Sequence, residues 1–350
     1  KGEPRKPYCL VLSLVNPHDV LGYPKSVQFG YTPDEYTGRT ITDLPPTVTE
    51  QLLKNGKPMA QLQTNIAADG LLGVLRNDDM KLNYLNFYAY LLTKIDGEIG
   101  KFIDVLYDDT KGRRLADDAV VIRLADHGEM GMSHGGMRQK AFVAYEEALR
   151  IPMVISNPIV FNKKESSDEL ATLIDIFPTI SEIVGVPKDS NSRGESLIPI
   201  IEEGKSVQDS ILFTFDDTKS GSNNLPSSVK STNRLRAIRT HDWKYTYYFD
   251  SLGRYQKEYE LYDLVNDIEE LHNLAYKPEY REQREYLHQQ LMELEERKLR
   301  VNEVFVNKNN QYEYKTWVET NPNFETYAYN DIEGYEKENF DINEEKNTEK

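Results

Sequence analysis

Side chains of types that bind divalent cations or oxyanions are concentrated at two places in the chain. Asp126 and His127 follow an apolar run, His134 and Lys140 come soon after them, and His18 follows a separate apolar run. A carboxylate beside an imidazole suits a divalent ion that prefers oxygen but accepts one nitrogen, such as Ca²⁺, Mg²⁺ or Mn²⁺. Lysine and histidine bind the oxygens of sulfate or phosphate and neutralise charge during group transfer. The pattern indicates a metal-assisted oxyanion site.

Two ligands do not complete a metal site, and at least two further carboxylates are needed. No other pair of acidic residues follows an apolar run in the same way. An Asp-His-Gly turn by itself is also typical of the polar residues that cap the ends of strands. The functional interpretation therefore depends on the lysine and histidine downstream, and on four glycines that let the backbone fold closely against a ligand: Gly128, Gly131, Gly135 and Gly136.

The apolar runs that precede these residues have the character of buried strands. Residues 8–15 and 119–125 are short and almost continuously apolar, as in strands covered on both faces of a parallel sheet. Ligands of open α/β sheets bind beyond the carboxyl ends of the strands. If the two strands are parallel neighbours, His18, Asp126 and His127 reach the same edge.

Helices alternate with strands through the first half of the chain. Apolar residues at steps of three and four predict a long amphipathic helix over residues 81–106. Residues 151–156 are predicted as another buried strand, and residues 171–185 as a helix with Asp175 as its N-cap. Residues 19–79 lack periodicity and are predicted to be irregular. This alternation predicts an α/β domain.

The pattern changes after a Ser-, Asn- and Gly-rich loop at residues 216–233. Residues 234–240, 241–249 and 259–264 are rich in β-branched and aromatic side chains and predict a small antiparallel sheet. A charged helix is predicted over residues 279–300.

Three regions follow from this organisation. Residues 1–205 are predicted as part of the α/β domain and residues 206–300 as a small α+β subdomain. Residues 301–350 are predicted as an acidic tail with scattered aromatic residues, since they hold twelve acidic and five basic side chains. The tail is either solvated or lies on the main body, and the sequence favours neither.

Composition excludes some classes of function. The formal net charge of -16 repels phosphate backbones and argues against nucleic acid as a partner. No apolar run reaches the roughly eighteen residues needed to span a bilayer, so no membrane span is expected. Cys9 is the only cysteine, which excludes an internal disulfide and a thiolate zinc site; we predict it as a core residue of the first strand.

The combined motifs resemble the type I sulfatases of the alkaline phosphatase superfamily. The segment "ADHGEMGMSHGGMRQKAFVAYEEALRIPMVIS" is similar to that family's run of Asp-His-Gly-Glu, His-Gly, Lys and Tyr-Glu-Glu. Four further segments match in the family's order over about residues 7–276: "LVLSLVNPHDV", "LIDIFPTISEIVGVP", "RGESLIP" and "YELYDLVNDIEELHNLA". The resemblance implies a mixed, largely parallel sheet flanked by helices, with a C-terminal subdomain that contains an antiparallel sheet.

Roles for the site residues follow from this resemblance. It implies that Asp126 and His127 are metal ligands, with Ca²⁺ favoured over Mg²⁺ or Mn²⁺. His18 and Lys140 would contact the sulfate group, and His134 would lie nearby. Lys140 stands one position later than in the commonest spacing, so Arg138 competes for its role.

The family's nucleophile is a formylglycine made within a Cys/Ser-x-Pro-x-Arg motif, and the sequence contains no such motif. The family's first pair of metal-binding aspartates is also missing from it. We therefore expect the nucleophile in an N-terminal portion of the same enzyme, which would be a partner of this chain. The start of the chain does not look natural and gives no indication of cellular compartment.

The expected function is hydrolysis of aryl or carbohydrate sulfate esters, with this chain inactive alone. Two alternatives remain open. The substrate could be a phosphate monoester or diester, or a phosphonate, on the same fold. The chain could instead be a non-catalytic fragment or partner chain.

Overall fold

A computed structural model of the protein describes residues 7–38, 40–110, 112–161, 165–189, 191–217, 231–250 and 253–299. The predicted acidic tail and most of the predicted loop at residues 216–233 lie outside these ranges. The chain divides into two compact units. The first unit comprises Lys1–Glu50, Asn65–Lys140 and Arg150–Asn162; the second comprises Gln51–Thr64, Ala141–Leu149 and Lys163–Lys350.

Helices and strands alternate through the described ranges. The α-helices are α1 (Met59–Leu72), α2 (Asp78–Tyr107), α3 (Ser133–Gly136), α4 (Glu146–Leu149), α5 (Ile176–Ile183), α6 (Ile198–Glu203) and α7 (Arg281–Leu299). The strands are β1 (Val121–Leu124), β2 (Met153–Ser156), β3 (Ile211–Asp216), β4 (Arg234–Arg239), β5 (Trp243–Phe249) and β6 (Glu258–Asp263). No helix in the described ranges is long and apolar enough to cross a lipid bilayer.

Helix α2 organises the core of the first unit. Its start is fixed by Asn77, whose side chain accepts a hydrogen bond from the Met80 amide at 2.9 Å. Buried residues on one face of the helix then pack against aromatic side chains from the first forty residues of the chain, and this core includes Tyr23, Tyr31, Tyr36, Tyr84, Phe87 and Leu91. The long helix predicted over residues 81–106 is confirmed.

The prediction for residues 8–15 is wrong. These residues are not in a strand, and most of their apolar side chains are exposed, with Val11 83% exposed. Cys9 is likewise exposed and is not a core residue. An apolar run of this kind indicates that a segment can be buried, but the partner that would bury it is not found within the described ranges.

Strands β1 and β2 pair with each other in antiparallel register, with Arg123 opposite Val154. They are not buried on both faces, because Leu124 and Val154 are each more than 40% exposed. Arg123, a charged residue in an otherwise apolar run, is exposed on this pair. In the described parts of the chain both sheets are antiparallel. We expected two parallel strands that end at residues 15 and 125 and share one edge, and no such edge is present there.

The second unit contains the predicted antiparallel sheet, in the order β3-β4-β5-β6. Side chains of β4, β5 and β6 alternate between its two faces, as the period of two requires. One face packs against α7 through Leu287, Leu291 and Leu294. The other face is in a cluster with Phe142 and Ala144. The three predicted strands and the charged helix are confirmed.

The sequence did not predict helix α1, strand β3 or the short helices α3, α4 and α6. Helix α1 lies within the segment predicted to be irregular. It buries Ala60, Gln61 and Ala68, two small residues and one polar one, and so lacks the stripe of large apolar residues that reveals a helix. Strand β3 is intermediate in exposure at all but one position, and β4 alone pairs with it.

Helix α5 begins directly after Asp175, the predicted N-cap, but the Asp175 side chain forms no capping hydrogen bond to it. Asp175 instead closes the preceding 3₁₀ turn, where its carboxylate accepts hydrogen bonds from the amide and hydroxyl of Thr172 at 2.7 and 3.0 Å. The same buried carboxylate accepts from the Glu195 amide and the Gln208 side chain, both at 2.8 Å. Asp175 therefore fixes two loops of the second unit.

Two glycines offer a matched test of packing. A Cβ at Gly194 would lie 2.0 Å from the Ile174 carbonyl oxygen, whereas a Cβ at Gly100 in α2 meets nothing within 4 Å. We expect Gly194→Ala to lower the free energy of unfolding by about 1–3 kcal/mol through overpacking. Gly100→Ala should raise it by up to about 1 kcal/mol, because alanine favours the helix. Urea denaturation measures both, and equal midpoints would contradict the close approach at Gly194.

Candidate active site

The Asp126–His127 pair follows β1 and faces solvent. The side chain of Asp126 is 85% exposed and that of His127 is 42% exposed, with 3.4 Å between Asp126 Oδ2 and His127 Nε2. The His127 amide donates to Asp126 Oδ1 at 3.0 Å. His127 Nδ1 lies 2.8 Å from the Gly128 carbonyl oxygen, which can only accept a hydrogen bond. In the neutral imidazole the proton is therefore on Nδ1, and Nε2 keeps the lone pair that a metal ligand needs.

The donor set of this pair fits a divalent cation only in part. One carboxylate and one neutral imidazole are acceptable ligands for Ca²⁺, Mg²⁺ or Mn²⁺. In the described ranges, however, no group of three or more His, Cys, Asp or Glu residues is arranged to hold a metal ion. The pair can supply two ligands, and the remainder must come from elsewhere.

His134 lies in the interior of the first unit. Its Nδ1 is 2.6 Å from Glu50 Oε2, and both side chains are fully buried. The backbone is held as well, since the amides of His134 and Gly135 donate to the side chain and the carbonyl of Thr47, each at 2.9 Å. The φ of His134 is 48°, a left-handed conformation that such contacts must stabilise. These contacts indicate that His134 anchors its loop.

Hydrogen bonds join the two ends of the loop between Asp126 and Lys140. The amide of Met130 donates to the Gln139 carbonyl at 3.0 Å, and Glu129 accepts from the Gln139 amide at 2.8 Å. Tyr84 of α2 donates to the same carboxylate at 2.5 Å. Burial, together with the charge of Glu129, raises the pKa of Tyr84 well above its usual range, so the phenol remains a donor.

Arg138 and Lys140 differ in their surroundings. Arg138 is buried, and its guanidinium donates to Asp69 Oδ1 and to the Gly73 carbonyl, both at 2.9 Å. Lys140 is partly exposed, and no ion pair to it occurs within the described ranges. This difference favours Lys140 over Arg138 as the residue that contacts a ligand.

The segment that follows Lys140 in sequence is fixed within the second unit. Tyr145 donates to Glu260 at 3.0 Å, and Tyr248 and Tyr262 donate to the same buried carboxylate at 2.8 and 2.5 Å. Tyr248 also donates to the Phe142 carbonyl at 3.2 Å. Tyr248, Glu260 and Tyr262 lie on one face of the sheet, so the sheet holds the chain immediately after Lys140.

A buried lysine supports the same segment. Lys244 Nζ lies 2.7 Å from Glu146 and 2.8 Å from Glu270. Burial raises the pKa of Glu146, but Lys244 and Arg239 outweigh burial and hold that pKa below its usual value. Burial raises the pKa of Glu270, which Lys244 only partly offsets.

His18 is exposed and follows the exposed residues 8–15. Nearby, Asn16 accepts from the Asp19 amide at 3.1 Å and donates to the Tyr31 hydroxyl at 2.9 Å, so the backbone turn is fixed. Within the described ranges no hydrogen bond or ion pair joins His18 to the loop that begins at Asp126. The structure thus brings Asp126 and His127 together but shows no contact between His18 and that pair.

Sequence interpretation missed the two carboxylates that hold the loop. Glu129 is part of the quoted Asp-His-Gly-Glu motif, which was the available signal. Glu50 lies in a segment without periodicity and gave no signal, because its importance depends on a contact 84 positions away in sequence.

Comparison with solved structures defines the class of fold. The chain is similar to a structure solved with its substrate D-glucosamine-2-N,6-O-disulfate, with a TM-score of 0.61 and 19% identity over 76% of this chain and 62% of that chain. It is also similar to the phosphonate monoester hydrolase of Agrobacterium radiobacter, with a TM-score of 0.61 and 22% identity over 83% and 57% of the two chains. These likenesses confirm the α/β, alkaline phosphatase-like fold class.

Family models identify the family. The model described as "Sulfatase" matches residues 1–186, and "N-sulphoglucosamine sulphohydrolase, C-terminal" matches residues 134–297. The chain belongs to the sulfatase family. It is 24% identical over 290 residues to the Delta 4,5-hexuronate-2-O-sulfatase of Bacteroides thetaiotaomicron, which is 79% of this chain and 54% of that protein. The chain thus spans about half the length of this relative. The family in general uses a metal ion and formylglycine.

The buried Glu50–His134 pair predicts a difference between two substitutions. Glu50→Ala removes the carboxylate and should lower the free energy of unfolding by about 3–5 kcal/mol, since one partner of a buried pair is lost. Glu50→Gln keeps an acceptor oxygen and should cost about 1–2 kcal/mol. Denaturant unfolding of the two variants tests this order.

Asp126→Asn is the matched control. Its carboxylate is exposed, so the free energy of unfolding should change by less than about 0.5 kcal/mol. If Glu50→Ala were as stable as Asp126→Asn, the pair would not hold the loop.

Proposed function

We propose that this chain is part of a sulfatase that hydrolyses sulfate monoesters with a divalent cation. The observation that carries the proposal is the exposed Asp126–His127 pair, in which the Gly128 carbonyl fixes the histidine tautomer and leaves Nε2 available. Membership of the sulfatase family supports the reaction class.

Each site residue of this chain would have a separate role in binding the cation or the sulfate group. Asp126 and His127 hold the cation. We propose Ca²⁺ as this cation, with Mg²⁺ or Mn²⁺ as alternatives. The bound cation would neutralise charge on the ester oxygens. Lys140 and His18 contact the sulfate group, with Lys140 stabilising the leaving oxygen through its ammonium. His134, held by Glu50, keeps the loop in the shape that presents these groups.

The nucleophile would be a formylglycine from the N-terminal portion of the same enzyme. The exposed apolar side chains of residues 8–12 and of Val15 support this partner, because a cluster of exposed apolar side chains marks an interaction surface. Val11 and Tyr8, at 83% and 74% exposure, are the side chains that an added strand or helix would cover.

A carbohydrate sulfate is the favoured substrate, with an aryl sulfate as the simpler alternative. The relative named above is a hexuronate sulfatase, and the neighbouring structure contains a sulfated glucosamine. Both names support a sulfate ester on a sugar.

Hydrolysis of a phosphonate or of a phosphate ester on the same fold is a second candidate. The likeness to a phosphonate monoester hydrolase, at the same TM-score as the sulfated-sugar complex, favours it specifically. Both reactions need the same cation and lysine, so the substrate assay must separate them.

The complete protein, which contains this chain and the N-terminal portion, should hydrolyse nitrophenyl sulfate faster than nitrophenyl phosphate. Activity confined to the phosphate ester would refute the sulfatase proposal and support the second candidate. If the complete protein hydrolysed neither nitrophenyl ester and no sugar sulfate, the result would support a non-catalytic role.

This chain alone should show no turnover, because it holds neither the nucleophile motif nor a full set of metal ligands in its described ranges. Turnover of nitrophenyl sulfate by the purified chain at the rate of the complete protein would contradict the proposal that the nucleophile lies in the N-terminal portion.

Lys140→Ala in the complete protein should lower kcat by about 10²–10³-fold, the range found when one stabilising donor is removed. Lys101→Ala is the matched control, because Lys101 is exposed and pairs with Glu98 within its own helix. Kinetics with nitrophenyl sulfate measure both. Equal rates for the two variants would remove Lys140 from the proposed site.

A further inference from the structure

A polar cavity lies within the second unit, apart in sequence from every residue of the candidate active site. It has a volume of about 480 Å³ and is lined by Ser192, Arg193, Glu195, residues 207–210 and the C-terminal half of α7. Arg193, Arg297 and Lys298 are its basic residues, and Glu195 and Asp209 its acidic ones.

The wall formed by residues 193–195 is held rigidly. The Lys298 and Lys188 ammonium groups donate to the carbonyls of Arg193 and Gly194, each at 2.5 Å. The Glu195 amide donates to buried Asp175 at 2.8 Å. Because the loop is already ordered, a ligand would lose little free energy in arranging it.

Positive charge predominates in the cavity. Glu195 is offset by two lysines, at 3.3 Å from Lys188 and 3.6 Å from Lys298, and only 10% of the Lys298 side chain is exposed. Arg297 is exposed at the rim and forms no ion pair in the described ranges. A local excess of cations is notable in a chain whose net charge is -16, since the overall field repels anions.

The uncharged lining suits a sugar. Ser192, Ser210, Gln208 and Gln290 offer hydroxyl and amide groups, and Val207 is the one apolar side chain in the lining. Hydroxyls and amides both donate and accept hydrogen bonds, as sugar hydroxyls do. A guanidinium binds the two oxygens of a sulfate or carboxylate together. An apolar peptide would find little surface here.

We propose that this cavity binds an oligosaccharide that carries sulfate or carboxylate groups, with Arg297 contacting an anionic group and the serine and glutamine side chains contacting hydroxyls. The choice of a sulfated sugar rests on the proposed function, whereas the cavity and its charge do not. The site would hold part of a polymeric substrate and thereby raise its local concentration.

Calorimetric titration of the 350-residue chain with a heparin-derived tetrasaccharide tests the proposal without turnover. We expect binding that Arg297→Gln weakens about tenfold and that the charge reversal Arg297→Glu abolishes. Glutamine preserves helix propensity at this exposed position, so folding should be unaffected. Arg281→Gln, at the other end of α7, is the matched control and should bind like the unmodified chain.

Two further titrations identify what is bound and where. Maltotetraose, which is uncharged, should bind much more weakly than the sulfated sugar; equal binding would overturn the anionic assignment. A loss of affinity with Lys140→Ala but not with Arg297→Gln would place the sugar at the candidate active site and overturn the proposal.

No binding to the chain, or equal affinity of Arg297→Gln and Arg281→Gln, would also overturn it. Because none of these measurements depends on catalysis, a complete protein that fails to hydrolyse sulfate esters would leave the cavity result intact.

Discussion

The candidate site depends above all on one buried contact, the 2.6 Å pairing of the His134 imidazole with the Glu50 carboxylate. A carboxylate without solvent must be matched by donors, so the position of the imidazole is strongly specified. Thr47 fixes the adjoining backbone through its side chain and its carbonyl. These contacts stabilise the left-handed conformations at Met132 and His134 that the tight loop requires. The loop can then expose Asp126 and His127 in a defined arrangement.

The chain on the other side of Lys140 is held by a different set of contacts. Three tyrosine hydroxyls converge on buried Glu260, and Lys244 joins Glu146 to Glu270. Lys140 is partly exposed and is the last residue of its segment of the first unit. A cation whose flanking backbone is fixed before a ligand arrives needs little reorganisation to stabilise charge, which is the property that proposed sulfate binding requires.

Short-range sequence patterns predicted those helices and strands whose apolar residues recur with the period of the element. The apolar stripe of α2 and the alternating strands β4, β5 and β6 were evident because each carries its own periodicity. The Asp-His-Gly turn after β1 was equally visible. Residues 8–15 show the opposite case, since their apolar character was recognised but their burial depends on a partner. Helix α1 was missed because its buried face contains Ala60 and Gln61 rather than large apolar residues.

The sequence by itself determined the identity of the candidate ligands, the order of the family motifs and the antiparallel C-terminal sheet, because residue type and short-range spacing specify them. The tertiary structure alone decided that His134 is buried, that Arg138 is bound to Asp69 while Lys140 remains available, and that Glu50 and Glu260 hold the segments beside it. It also decided that Cys9 is exposed. These outcomes depend on contacts between residues far apart in sequence, and no local pattern records which side chain will meet a buried partner.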